Sequence, residues 1–145
     1  MVTDAFVDYM MLKNTIAKGN AADAKRTALT ILAVIADYSR SMNPDLLPDS
    51  KKFKEELEVL KERVINSSTL EEAKVNFSYL NSRFIEYIKS YGLYNKTIYL
   101  FRCDDNPAYG HGIWLSNSFS DTKNPFVNNS SNTNCYEVKE SWIFD

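Results

Sequence analysis

The strongest constraint on this chain is a helical repeat of apolar residues that fills its first two-thirds and ends at Gly92. Phe6, Tyr9, Met10, Lys13, Ile16 and Ala17 fall at helical spacing, and Gly19 then offers a stop. Asn20 can cap a second helix, with Asp23 three residues on, where a carboxylate meets exposed amides. That helix carries Ala24, Ala28, Ile31, Leu32 and Ile35 on one face and fades at Ser39-Arg40-Ser41. Its small residues let a neighbouring helix approach closely. Met42 to Ser50 holds Pro44 and Pro48 and reads as a loop.

Asp49 or Ser50 opens a third helix, in which Phe53, Leu57, Leu60 and Val64 form a narrow seam. Its opposite face, including Lys51, Lys54, Glu58 and Lys61, is charged and reads as solvated. Ser68-Thr69-Leu70-Glu71 has the pattern of a capping box. It starts the longest helix, with Ala73, Phe77, Leu80, Phe84, Tyr87, Ile88 and Tyr91 along one side. Short connections make sequential helices antiparallel neighbours, so the expectation is a mainly α, up-down-up-down four-helix bundle.

After Gly92 the period changes. Thr97 to Phe101 and Tyr136 to Phe144 are rich in β-branched and aromatic residues and suit short strands. Between them Asn117 to Asn134 is dense in Asn and Ser, which favour turns and local side-chain hydrogen bonds. Trp114, Leu115, Phe119 and Phe126 are scattered through this region as anchors. The reading is one domain over 1–145, with helices over 1–92 and an irregular cap over 93–145 packed on them.

Several function classes are disfavoured. A net charge of -2 gives no basic footprint for nucleic acid. The longest apolar run, Ala28 to Ala36, falls far short of the ~20 residues of a membrane span. The N-terminus shows no leader pattern, which leaves a cytoplasmic chain or a trimmed extracytoplasmic one. His111, the single histidine, lies between Gly110 and Gly112 on a loop. One histidine cannot supply the paired Glu-x-x-His motifs of a di-iron bundle. A Cys103–His111 nucleophile pair shows no orienting third group. Ser116 lacks a Gly-x-Ser-x-Gly elbow and reads as a turn residue, and Asp104-Asp105 reads as a solvated turn. A non-enzymatic role is therefore expected.

Cys103, Pro107, Gly112-Ile113-Trp114-Leu115-Ser116, Asn124-Pro125-Phe126, Cys135 and Val138 follow one another in an order that resembles a bacterial domain family. In that family the domain often forms the C-terminus of periplasmic adaptor subunits of heavy-metal (copper/silver) efflux pumps, and also occurs as a secreted or lipid-anchored protein. The helices over Phe6 to Ile35 and Leu70 to Gly92 are similar in outline. The resemblance implies a periplasmic or otherwise extracytoplasmic accessory domain with a protein partner in an efflux or envelope complex. It also implies a soft-metal site, Cu(I) first, at Cys103 and Cys135, to which His111, near Cys103 in sequence, could add a third ligand.

The chain departs from the family pattern at the sulfur positions. The family's Cys-Pro-Met is here Cys103-Asp104-Asp105-Asn106-Pro107, and Asn132-Thr133-Asn134 replace the methionine before the second cysteine. Three states of the cysteines follow: a Cys103–Cys135 disulfide, two free thiols, or a metal site. In an oxidising compartment the disulfide would stabilise the cap by roughly 3–4 kcal/mol in the chain-entropy model. The alternative to a metal-linked accessory domain is a purely structural protein-binding module with a disulfide-stapled cap.

Overall fold

The computed structural model describes residues 2–41, 50–92, 96–103, 112–118, 120, 124–126 and 136–144. Four helices come first: α1 (Val2–Ala17), α2 (Ala21–Ser41), α3 (Ser50–Ile65) and α4 (Leu70–Tyr91). Three strands follow, β1 (Lys96–Arg102), β2 (Ile113–Ser116) and β3 (Glu137–Phe144). They form an antiparallel sheet in the order β2-β1-β3.

The helix boundaries have local causes. Asn20 Oδ1 accepts the Asp23 amide at 3.1 Å and opens α2, as the sequence predicts. The capping box of α4 is shifted by one residue from the expected Ser68–Glu71 pair. Thr69, with extended backbone, is the N-cap, and its Oγ1 accepts the Glu72 amide at 3.1 Å and donates to Glu72 Oε1 at 3.0 Å. Both bonds join Thr69 to the residue three positions on, the spacing of a capping box, with the carboxylate held by the cap's hydroxyl. Gly92 ends α4 at φ 75°, donating its amide to Ile88 O at 2.7 Å. A side chain would be strained at that φ.

One hydrophobic cluster draws on all four helices, β1, β2 and Phe126. The stripes read from the sequence face it. Phe53, Leu57, Leu60 and Val64 of α3 and Phe77, Leu80, Phe84, Tyr87 and Ile88 of α4 are buried. Rings then stack through the centre, with Tyr9 over Phe84 at 5.1 Å and Tyr9 against Phe77 at 5.5 Å between centroids. Such pairs contribute ~0.5–1.5 kcal/mol each beyond the area they bury.

The C-terminal third joins this core. Trp114 is fully buried and lies 6.0 Å from the Phe101 ring, and Phe126 lies 5.6 Å from Phe77 of α4. Asn124 Oδ1 accepts the Phe126 amide at 2.9 Å, a local turn that presents Phe126 to the helix. Phe119, the remaining expected anchor, lies outside the described residues. β2 itself was not expected as a strand; its four residues sit between turn-rich segments, and it pairs with β1 from Tyr99↔Ser116 to Arg102↔Ile113. β3 is more exposed, and Lys89 of α4 ties it down, 3.6 Å from Glu140 and 5.3 Å above the Trp142 ring.

Trp114→Ala is expected to destabilise the protein by about 3–5 kcal/mol in urea unfolding, because it opens a large cavity between sheet and helices. A loss near zero would show that β2 is not part of the core.

Candidate functional site

The sequence assigns chemistry to Cys103, His111 and Cys135, and reads Ser116 as a turn residue. Cys103 follows β1, is 1% exposed and donates its amide to Gly112 O at 3.1 Å, lengthening the β1–β2 ladder by one rung. It is not a free thiol. His111 and Cys135 lie outside the described residues. Among the described residues no three His, Cys, Asp or Glu side chains converge as a metal site would require. Ser116 is fully buried; its Oγ donates to Ser118 O at 3.0 Å and accepts the Ser118 amide at 3.2 Å. Those bonds engage the hydroxyl in a turn, the role read from the sequence.

A second polar cluster lies deeper, where sequence analysis assigned nothing. Ile113 and Leu115 alternate along β2, so their backbone groups point to the same side of the strand. That side faces the helices rather than another strand, and three side chains meet it. Asn81 of α4 donates its Nδ2 to Ile113 O at 2.7 Å. The Leu115 amide donates to the Tyr9 hydroxyl at 2.8 Å, and that hydroxyl donates to Asn81 Oδ1 at 2.5 Å. Lys13 Nζ, one turn along α1 from Tyr9, donates to Leu115 O at 3.3 Å. Tyr9 and Asn81 are fully buried and Lys13 is 1% exposed.

These side chains act as a surrogate fourth strand. A buried strand edge left without partners would cost about 1–3 kcal/mol per group. Here Tyr9 and Lys13 reach it from α1 and Asn81 reaches it from α4. One signal in the sequence pointed to this cluster: Lys13 lies on an otherwise apolar stripe. Asn81, one residue beyond Leu80 in the α4 stripe, gave none.

Burial pushes the Tyr9 phenol well above the ordinary tyrosine range, and the hydrogen bond from the Leu115 amide works in the opposite direction and is smaller. The hydroxyl therefore stays protonated and keeps its donor role toward Asn81.

A family model described as "Protein of unknown function (DUF3347)" matches residues 5–96. The match spans the helices and stops at the first residue of β1, before the Cys103–Cys135 segment. No curated protein and no solved structure matches the chain.

Tyr9→Phe is expected to cost about 1–3 kcal/mol at neutral pH, because the Leu115 amide and Asn81 carbonyl lose their shared partner. The pH dependence has a definite sign. Above about pH 10 an unfolded tyrosine loses its proton while folded Tyr9 keeps it. Stability contributed by that difference is complete below the unfolded value and declines as pH rises through it. Comparing unfolding of the two proteins from pH 8 to 11 checks this: the stability gap should narrow with rising pH, and a constant gap would contradict it.

Proposed function

The chain belongs to the DUF3347 family, whose description assigns no function, and from that premise we propose a non-enzymatic, extracytoplasmic accessory domain that works by holding a protein partner. In this proposal the four helices pack up-down-up-down; the short connections Lys18–Asn20 and Asn66–Thr69 favour antiparallel neighbours. The partner belongs to an envelope assembly related to heavy-metal efflux, as the order of residues from Cys103 to Cys135 suggests.

The carrying observation is that the residues of that order are engaged in structure. Trp114 and Leu115 are core, Ser116 closes a turn, Asn124 builds the turn before Phe126, and the sulfur of Cys103 is buried and not a free thiol. A soft cation such as Cu(I) binds thiolate, and an oxidised sulfur offers none. Cys103 in this state does not fit a copper ligand, and no role here is routed through a metal.

Cys135 is the proposed disulfide partner of Cys103. The β1–β3 register supports this, because it ends on Arg102↔Glu137. Cys103 directly follows one of these residues, and Cys135 precedes the other by two. The pairing would fasten β3 where it leaves β1.

Native mass spectrometry tests the reading, with the protein oxidised and reduced, and with and without Cu(I). Expected is a mass rise of about two daltons on reduction and no copper adduct on the oxidised chain. A stoichiometric copper adduct on the protein as purified, lost when Cys103 and Cys135 are changed to serine, would overturn it in favour of a metal-handling domain.

A further inference from the structure

Two shallow depressions, of about 560 and 600 Å³, run end to end between α3 and α4, and both are lined by Val59 and Arg63. Together they make a groove that extends along α3 from Lys52 to Asn66. At the rise of an α-helix that is roughly 20 Å. Its apolar residues are unusually open for a surface, with Val59 59% and Tyr79 49% exposed. Arg63 lies 4.8 Å over the Tyr79 ring and holds it in place as part of the wall.

The charge along the groove is asymmetric. At the Lys52 end the charges are largely matched: Arg83 pairs with Glu56 and Glu86, and Lys52 lies 4.0 Å from Glu56. At the Asn66 end three carboxylates, Glu62, Glu71 and Glu72, gather in the lining beside Arg63. Lys74, which pairs with Glu71 at 3.7 Å, is buried beside them. The open face at this end is therefore acidic.

The form of the occupant follows. Both walls are helices whose backbone groups are satisfied internally, so no strand can add to an edge here. A straight apolar channel about four turns long suits a helix carrying apolar residues at spacings of three and four. We propose that this groove docks an amphipathic helix of a protein partner. Its apolar stripe seats on Val59, Val75 and Tyr79, and its lysines or arginines lie over Glu62, Glu71 and Glu72. This deepens the reading of the chain as an interaction domain and rests on it.

The probe is a synthetic helix of about 18 residues, with leucines at spacings of three and four and lysines in one terminal turn. It is titrated into the full chain and followed by amide chemical shifts and fluorescence anisotropy. A second peptide carries glutamates in place of the lysines. Saturable binding is expected, with shifts centred on Val59 and Tyr79 and preference for the lysine peptide. Val59→Lys should weaken binding about tenfold or more with an unchanged circular dichroism spectrum, since the side chain is exposed. Glu62→Lys with Glu72→Lys should reverse the preference between peptides.

Absence of saturable binding, shifts elsewhere, or equal affinity for both peptides would overturn the proposal. So would self-association in sedimentation that Val59→Lys abolishes, which would make the occupant a second copy. Failure here leaves the copper measurement untouched, whereas a copper adduct on the purified chain would remove the reading on which this proposal rests.

Discussion

The C-terminal sheet depends on a buried strand edge that, among the described residues, has no strand beside it. β2 lies at one end of the order β2-β1-β3 and turns its outer side toward α1 and α4. Backbone groups cannot be buried unpaired without a cost of about 1–3 kcal/mol each. Tyr9, Lys13 and Asn81 remove that cost, and in doing so they fix where β2 can lie. A slip of one residue would exchange Trp114 and Leu115, both fully buried, between the two faces of the sheet and aim the wrong backbone groups at the three side chains. The register, the burial of Trp114 and the angle of the sheet against the helices are thus parts of one solution.

The same constraint connects the helices to the segment that lies beyond the family match. The family match covers residues 5–96, and Tyr9, Lys13 and Asn81, all within it, hold β2 outside it. Sulfur chemistry is secondary in this arrangement. Cys103 extends the β1–β2 ladder through its backbone, and its buried side chain is not a free thiol. Stability of the cap then rests on packing and polar satisfaction, with the proposed disulfide fastening β3, the most exposed strand.

Much of the fold was legible in the sequence because periodicity reports burial. The α2 stripe from Ala24 to Ile35 and the α3 seam from Phe53 to Val64 are buried as read, and Gly92 ends α4 at the expected residue. The capping box was legible in kind but off by one, since Ser68 and Thr69 both suit the pattern and only the backbone decides between them. β2 was not legible, because four residues flanked by turn formers show no period and gain their strand state from β1 and the helices. The polar cluster was not read from the sequence. Lys13 falls on an otherwise apolar stripe, but the backbone of Leu115 that it meets lies over a hundred residues away and leaves no local trace. The chemistry assigned to His111 and Cys135 falls outside the described residues.

Native-state hydrogen exchange at the Leu115 amide tests the central claim most directly, because this one N–H reports whether the buried edge opens by itself. If Tyr9, Lys13 and Asn81 make the sheet and the helices a single cooperative unit, the amide opens only with global unfolding, and its protection equals that of core amides in α4 such as Phe84. If Leu115 exchanges about a thousandfold faster than Phe84 while the helices stay protected, the cap opens independently and the surrogate-strand account is wrong.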